Sequence, residues 1–281
     1  MFQSVLKPTR VKPFYFKCLK EPEKFDVTLT TMITVDRFNI LLNSMATFDG
    51  FFSVVMHIKD DEALNDNLNL LKSFIKNHNK EIQDRLDIHL IIDKFSRQLN
   101  YFRNVARLFS RTDLILPLDI DFIINRSFLS NLKKNKFVIN KLLSGEGLFI
   151  IPAFEYTYAK RDTTLEHFPQ TKKEVIGLYN FNDLEIFHGP KNHGHLSTDY
   201  EKWIRSKDRV YQIQPTNAGY EPYAVLNKNK IPWSDERFIG YGGNKCAWWY
   251  EIFLSGVNFY ILPNDFVIHQ YHEYPSVRTV E

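Results

Sequence analysis

The sequence contains only two cysteines, Cys18 and Cys246, among its 281 residues. Their separation matches no zinc-site spacing, and two cysteines neither require nor exclude an oxidising compartment or a pairing between them. No apolar run is long enough to span a bilayer. The basic N-terminal stretch, broken by Pro8 and Pro13, lacks the apolar segment of a signal peptide. From these absences we expect a soluble domain without an anchor.

The excess of positive over negative charge is also small. The formal net charge is +3 and the pI is about 8.6, and no basic stripe with interleaved aromatic residues is present. The basic cluster at Lys133, Lys134 and Lys136 is typical of a solvated helix face. We therefore expect no nucleic-acid partner. The 15% aromatic content suits a surface that stacks on sugars, and it suits a Phe-rich core equally well.

Glycine-rich phosphate loops are missing as well. No Gly-x-Gly-x-x-Gly follows the first predicted strand, and there is no Walker-type loop. These absences exclude an ordinary dinucleotide-binding half and a P-loop nucleotidase. If the chain binds a phosphorylated ligand, a metal ion is needed to meet the phosphate charge.

What the sequence does contain is an alternation of strands and helices. Strands are predicted at 27–35, 51–58, 87–93 and 114–119, and helices at 37–48, from 60 onward and around 101–106. This order predicts an α/β fold with a mixed, mainly parallel central sheet covered by helices on both faces. Later elements are predicted as strands at 149–155, 220–225 and 267–269, a helix at 246–254 and a binding loop at 188–203. Residues 1–25 are predicted to be an irregular lead-in, and 26–281 a single domain.

The most informative stretch is the apolar run at 114–118, which is followed by Asp119 and Asp121. In an extended segment, residues i and i+2 point to the same face, so we expect the two carboxylates to converge. The carboxyl edge of an α/β sheet is where ligands bind. A divalent cation that carries a nucleotide diphosphate would offset the two negative charges there. A solvated turn or a cap is the alternative interpretation.

Eight blocks occur in order along the chain: DVTLTTMITVDRF, RNVA, LPLDID, IPAFE, HLSTDYEKW, YEPYAV, SDERFIGYGGNK and FVIHQYH. Together they resemble glycosyltransferase family 49, which includes the glucuronyltransferase domain of the LARGE enzymes and β-1,4-glucuronyltransferase. The resemblance implies a GT-A fold, a nucleotide-sugar donor, a divalent metal ion and an inverting transfer. It also implies a nucleotide-sugar half at 26–125 and an acceptor half at 126–281.

The resemblance further implies that Asp119 and Asp121 bind Mn²⁺ or Mg²⁺ together with the diphosphate of a UDP-sugar. It makes His269 the third protein ligand. Neutral imidazole is a good Mn²⁺ ligand, which supports that assignment independently. A core or surface histidine is the alternative for His269, and His272 is a weaker candidate ligand.

Arg103 and Asn104 precede the metal-binding strand and are candidates for nucleotide binding, because the Arg fork suits phosphate or carboxylate. A surface ion pair on a helix is the alternative. Sugar sites combine aromatic faces with short polar side chains. The candidate substrate-binding residues are His195, Thr198, Asp199, Tyr200, Trp203 and Glu221. For Trp203, a place in the core is the competing interpretation.

An inverting transfer needs a carboxylate that takes the proton of the acceptor hydroxyl. Many GT-A enzymes have a Glu-Asp pair after a Gly-Gly turn, but here the turn continues as GGNK. Asp235 and Glu236 are the nearest carboxylates upstream. We predict that one of them is the catalytic base, with Asp235 favoured.

We therefore expect a metal-dependent inverting glycosyltransferase that moves glucuronate from a UDP-sugar to a hydroxyl of a glycan or glycoprotein. The alternatives are the same fold with UDP-N-acetylglucosamine or UDP-xylose, an inactive glycan-binding module, and a nucleotide-sugar hydrolase. Asp119, Asp121 and His269 together argue against the binding module, which needs no such set. The resemblance implies the Golgi lumen, whereas the lack of an anchor favours a soluble intracellular protein.

Overall fold

The computed structural model describes residues 10–95, 98–161, 163–189, 193–215, 217, 219–240 and 242–272. The strands in these residues are β1 Arg10–Phe16, β2 Val27–Ile33, β3 Phe51–Lys59, β4 Leu86–Asp93, β5 Leu114–Pro117, β6 Phe122–Ile124, β7 Gly147–Ile151, β8 Ala153–Tyr156, β9 Leu184–Ile186, β10 Tyr211–Ile213, β11 Tyr223–Asn227, β12 Asn258–Ile261 and β13 Val267–His269. The helices are α1 Phe38–Thr47, α2 Leu64–Asn77, α3 Asn79–Ile82, α4 Leu99–Phe109, α5 Phe128–Lys134, α6 Lys136–Ser144, α7 Lys172–Asn180, α8 Tyr200–Arg205 and α9 Asn244–Leu254. None of these helices has the length and apolarity needed to cross a membrane.

A nine-stranded sheet, in the order β1-β4-β3-β2-β5-β11-β7-β12-β10, forms the centre of the fold. Strands β4, β3, β2 and β5 are parallel neighbours, and β11 is inserted antiparallel between β5 and β7. Within β5, Leu114 and Leu116 pack into one apolar cluster and Ile115 into another, so both faces of the sheet are buried. The predicted α/β fold with a mixed sheet covered on both faces is confirmed.

A second sheet of four strands, β6-β13-β8-β9, was not predicted as a separate sheet, although the predicted strand at 267–269 is β13. The single strand predicted at 149–155 is in fact two, because Pro152 separates β7 in the large sheet from β8 in the small one. Proline has no N–H to donate to a ladder. The Pro152 carbonyl instead accepts a hydrogen bond from the Val267 N–H at 2.9 Å. This change of sheet brings β8 beside β13.

The prediction of an irregular lead-in is wrong for residues 10–16. They form β1, which pairs antiparallel with β4 at the edge of the large sheet. An edge strand has one side free of ladder bonds, so it tolerates Pro13. The pairing register shifts between Lys12 and Phe16, and Phe14 in that interval has a positive φ of 49°.

The predicted binding loop at 188–203 contains regular structure. A 3-10 helix spans His193–Thr198, and α8 follows it. The Asp199 side chain caps α8 by accepting a hydrogen bond from the Lys202 N–H at 3.1 Å. Residues 190–192 lie outside the described residues. These elements pack Tyr200 and Trp203, from the second half of the predicted loop, into the core.

Candidate active site

Asp119 and Asp121 lie in the short connection between β5 and β6, at the carboxyl end of a parallel strand. This connection is a turn, because the Phe122 N–H donates to the Asp119 carbonyl at 3.1 Å. The argument that residues i and i+2 share a face holds only for an extended segment. In the turn the two carboxylates instead have different partners.

Asp119 contacts two residues from the second half of the chain. Its Oδ2 accepts a hydrogen bond from the Tyr223 hydroxyl at 2.7 Å and lies 2.7 Å from the Lys245 Nζ. Tyr223 begins β11 next to β5, and Lys245 lies in the first turn of α9. The strand order therefore brings the hydroxyl and the ammonium to the end of β5.

The charges around Asp119 favour its ionised form. Burial raises the pKa of this carboxyl, but the positive charges of Lys245 and Arg103 and the hydrogen bonds from Lys245 and Tyr223 lower it further, so the net pKa is below its usual range. The side chain nevertheless keeps 40% of its surface exposed. Asp119 is thus a carboxylate at neutral pH that a ligand can reach.

Asp121 belongs to a second group of side chains. One ligand atom each from Asp121, His269 and His272 lies within 4.8 Å of the others. The Asp121 Oδ2 is 3.2 Å from the His272 Nε2. His269 ends β13, which pairs with β6 so that His269 faces Phe122. The ladder therefore places His269 beside the residue that follows Asp121.

This group fits a divalent cation. The Asp121 Oδ1 is buried and accepts no hydrogen bond from the described residues, although the Arg37 Nη1 is 3.4 Å away. A buried carboxylate oxygen that accepts no hydrogen bond is costly to desolvate, and the Arg37 ion pair leaves room for a further cation to offset that cost. Burial lowers the pKa of His269 to about 4, so its imidazole is neutral at pH 7 and has a lone pair available. Carboxylate and imidazole are ligands that suit Mn²⁺.

Two clefts among the described residues border this connection or its partners. The first cleft, of about 350 Å³ including its open mouth, is lined by Thr30, Thr31, Met32, Arg103, Pro117, Leu118, Asp119, Pro222, Tyr223, Lys245, Trp248 and Trp249. The second cleft, of about 330 Å³, is lined by Glu155, Tyr156, Arg161, His269, Tyr271 and His272. Asp119 thus faces the first cleft, and two of the three candidate metal ligands face the second.

Arg103 and Asn104 have different surroundings. The Arg103 Nη1 donates to the Asn100 Oδ1 at 2.9 Å and to the Asn244 Oδ1 at 2.8 Å, which holds the guanidinium at the first cleft. Asn104 is buried, and its Nδ2 donates to the Ser234 carbonyl at 2.8 Å. Asn104 therefore joins α4 to the segment before α9, while Arg103 remains a candidate for nucleotide binding.

The structure places Asp235 and Glu236 outside the lining of both clefts. Arg237 occupies both oxygens of Asp235, with its Nη2 2.6 Å from the Oδ2 and its Nε 3.0 Å from the Oδ1. The hydrogen bond from Arg237 lowers the pKa of Asp235. The Glu236 Oε1 accepts from the Asn104 Nδ2 at 2.8 Å. Neither carboxylate is placed to meet an acceptor hydroxyl in the described clefts.

Several predicted sugar-facing residues have structural roles. Trp203 is 0% exposed, and its Nε1 donates to the Leu262 carbonyl at 3.0 Å. The buried Tyr200 hydroxyl bonds to the backbone of Ala153, and Thr198 is buried with its Oγ1 2.8 Å from the Tyr220 hydroxyl. A side chain without exposed surface offers no face to a ligand. For Trp203, the structure therefore favours the competing interpretation, a place in the core.

Asp199 caps α8, and the two candidates that remain, His195 and Glu221, differ from each other. His195 is buried against Tyr223, with ring centroids 5.8 Å apart, and burial lowers its pKa to about 3. It therefore supports the ring that bonds to Asp119. The half-buried Glu221 donates its backbone N–H to the Gly194 carbonyl at 2.8 Å and does not line either cleft.

Lys245, Tyr223 and Arg37 were not predicted from the sequence. His272, predicted as the weaker candidate ligand, lies together with Asp121 and His269. Lys245 was noted only as part of the GGNK segment that replaces a Glu-Asp pair. Its place in the first turn of a predicted helix, after a glycine turn, was the available signal. Nothing in the spacing of Tyr223 or Arg37 marked either residue.

One protein family matches about two thirds of the chain. The family described as "Glycosyl-transferase for dystroglycan" matches residues 93–278. Xylosyl- and glucuronyltransferase LARGE2 of Mus musculus is 29% identical over 255 residues, which are 89% of this chain and 35% of that protein. Xylosyl- and glucuronyltransferase LARGE1 of Homo sapiens is 27% identical over 256 residues, which are 88% of this chain and 31% of that protein. The chain therefore spans about a third of the length of these curated relatives.

A solved structure has the same architecture. The crystal structure of GalNAc-T7 with UDP, GalNAc and Mn²⁺ matches with a TM-score of 0.55 at 12% sequence identity. The match covers 90% of this chain and 45% of that one. At this identity the likeness concerns the fold alone, which is the GT-A fold.

Proposed function

Because the chain belongs to the family described as glycosyltransferases for dystroglycan, we propose that it transfers a sugar from a UDP-sugar to a glycan hydroxyl in a metal-dependent, inverting reaction. The observation that carries the proposal is the Asp121 Oδ1, a buried carboxylate oxygen that accepts no hydrogen bond from any described residue, beside His269 and His272. An oxygen of this kind, grouped with two imidazoles at the carboxyl edge of the sheet, is suited to a hard divalent cation.

The first cleft is the proposed binding place of the nucleotide diphosphate. Arg103 and Lys245 supply two positive charges there, and Thr30 and Thr31 supply hydroxyl groups from β2. The Lys245 ammonium offsets the charge of Asp119 in the free protein. An anionic ligand in this cleft would find the same two cations, since Arg binds phosphate through its planar fork and Lys binds it as a point charge.

The metal is proposed to be Mn²⁺ or Mg²⁺, held by Asp121, His269 and His272, with Asp119 at the adjoining cleft. A bound ion of this kind supplies Lewis-acid stabilisation of the charge that develops on a leaving diphosphate. The fold prepares His269 for this role, because the β6–β13 ladder positions it and burial keeps its imidazole neutral.

Glucuronate is the proposed donor sugar, and UDP-xylose is the second candidate because the names of the relatives include both xylosyl and glucuronyl transfer. A glycan or glycoprotein is the proposed acceptor, in keeping with the description of the family. The Golgi lumen remains the expected compartment. Both the donor and the acceptor are open to direct measurement.

Thermal stabilisation by UDP-sugars tests this proposal. The purified chain is melted with UDP-glucuronate, UDP-xylose, UDP-N-acetylglucosamine or UDP, each with and without Mn²⁺. We expect a rise in melting temperature that needs both partners, because a ligand at 100 times its Kd stabilises the folded state by about 2.7 kcal/mol. The preferred donor is then assayed for UDP release with 4-nitrophenyl glycosides as acceptors.

Asp121→Asn is the matched variant in this assay. The substitution is isosteric, so the folded chain should melt at the wild-type temperature without ligands and lose the Mn²⁺-dependent shift and the transfer. Wild-type transfer that is unaffected by chelation of divalent ions would refute the metal-dependent mechanism. Binding without any transfer would favour a glycan-binding or nucleotide-binding module instead.

A further inference from the structure

The two clefts offer separate places for the donor and the acceptor. In an inverting transfer, the acceptor oxygen approaches C1 of the sugar from the side opposite the leaving diphosphate. The first cleft holds the cations that suit a diphosphate, Arg103 and Lys245. The acceptor therefore needs a place that the diphosphate does not fill, and the second cleft is the other described cleft beside the candidate metal ligands. A group that lines this cleft is then the candidate to take the proton of the acceptor.

Glu155 is the one carboxylate among the described residues that line the second cleft. It lies on β8, and its direct partner in the parallel pairing with β13 is His269. Residues paired in register point to the same face of a sheet, and neighbouring strands are only about 4.8 Å apart. Glu155 is thus a direct neighbour of a candidate metal ligand, and both residues line the second cleft.

One hydrogen bond positions the Glu155 carboxylate, and no described residue forms an ion pair with it. Its Oε1 accepts a hydrogen bond from the His188 N–H at 2.5 Å. Arg161 lines the same cleft, but no described cation forms a salt bridge with Glu155. This situation contrasts with Asp235, whose two oxygens are both bound to Arg237. Glu155 keeps an oxygen to offer to a hydroxyl group.

We propose that Glu155 is the catalytic base of the transfer, which rests on the proposed function above. The Glu155 carboxylate accepts the proton of the acceptor hydroxyl while the acceptor oxygen forms a bond to C1 of the donor sugar. The bond between C1 and the diphosphate oxygen breaks, and UDP leaves with that electron pair. No oxidant, reductant or further reactant is needed. Asp235 and Glu236 have no part in this step.

Glu155→Gln tests the assignment. The amide keeps the size of the side chain and an oxygen that can accept the His188 N–H, so the fold should persist. We expect turnover with a 4-nitrophenyl glycoside acceptor to fall by about two to four orders of magnitude. The KM for the UDP-sugar and the Mn²⁺-dependent affinity for UDP should change less than about threefold, because the base contacts only the acceptor.

Glu185→Gln is the matched control. Glu185 is the cross-strand partner of Glu155 on β9, so its substitution removes a neighbouring negative charge from the same region of the small sheet. It does not line the second cleft, and turnover should stay within about threefold of the wild type. Equal losses in both variants would mean that the charge of this region, and not the position of Glu155, matters.

Transfer of the sugar to azide distinguishes a catalytic role of Glu155 from a merely structural one. An azide ion has no proton to lose, so its transfer to C1 needs no base. We expect Glu155→Gln to form glycosyl azide from the UDP-sugar at a rate close to that of the wild type while its transfer to the hydroxyl acceptor collapses. Parallel losses for azide and hydroxyl acceptors, or near wild-type turnover of Glu155→Gln, would overturn the assignment and leave the proposed function intact. A wild-type chain without Mn²⁺-dependent UDP binding would overturn both.

Discussion

Substitution of Trp203 tests whether the segment before and within α8 belongs to the core or binds a sugar. Its indole is 0% exposed, packs against Phe154 with ring centroids 5.4 Å apart, and donates to the Leu262 carbonyl. The Lys172 Nζ lies 4.6 Å from the ring centroid. If the indole stabilises the core, removing it should cost folding free energy. If it stacks on a sugar, removing it should cost only binding.

The expected cost can be worked out from these contacts. Truncating a buried Trp to Ala costs about 3–5 kcal/mol. The Leu262 carbonyl would also lose its donor, so the upper end of this range applies to Trp203→Ala. A domain of this size shifts its melting temperature by about 2–4 °C per kcal/mol. We therefore expect a drop of about 10–20 °C for Trp203→Ala. Trp203→Phe keeps most of the ring packing and should lose about half as much.

Thermal melting followed by circular dichroism, with and without UDP and Mn²⁺, separates the two roles. Trp203→Phe should melt lower than the wild type yet show the same ligand-induced shift. Tyr158→Ala is the control, because this ring is 84% exposed and its loss should change the unfolding free energy by less than about 0.5 kcal/mol. A Trp203→Ala variant with an unchanged melting temperature and lost acceptor binding would refute the assignment of Trp203 to the core.

Two further predictions concern the metal ligands and a buried acid. His269→Ala and His272→Ala should each weaken Mn²⁺-dependent UDP binding in calorimetry, and an unchanged affinity in either variant would remove that residue from the ligand set. Burial raises the pKa of Asp265 to about 6 from an ordinary value of 3.8. The folded chain therefore binds more protons than the unfolded chain between these values, and the free energy of unfolding falls as pH rises through that window. Asp265→Asn should stabilise the chain at pH 7.5, by about 3 kcal/mol at most, and should give no gain at pH 3.5; an equal effect at both pH values would contradict this reasoning.

The first half of the fold was predictable because its signals are local. The predicted strand at 51–58 is β3, and the strand at 87–93 is β4, since runs of apolar and β-branched residues between helical patterns indicate buried strands. Strands of three residues, such as β9 and β10, are too short to show a period. The edge strand β1 was hidden by Pro13, which reads as a break in any strand that is not at an edge.

Only part of the site was predictable. The apolar run before Asp119 and Asp121 indicated a ligand site at the end of a strand, whereas His269 came from the family resemblance, and the structure brings Asp121 and His269 together through the β6–β13 ladder. Lys245 and Asp119 are 126 positions apart, and no periodicity links such residues. Glu155 stands in the IPAFE block, but its neighbours are set by a change of sheet at Pro152 that a pattern of apolar residues does not reveal.

That change of sheet has a mechanical consequence. Strands β7 and β12 pair in parallel in the large sheet, and their continuations β8 and β13 pair in parallel in the small one. Two segments thus run side by side from one sheet into the other, joined at the crossing by hydrogen bonds from Leu262 to Ile150 and from Val267 to Pro152. These paired segments are anchored in the large sheet and carry Glu155 and His269 in the small one. Thermal opening of the small sheet between β8 and β13 is therefore coupled to opening of the β7–β12 ladder in the core, and we expect the two side chains to keep their spacing.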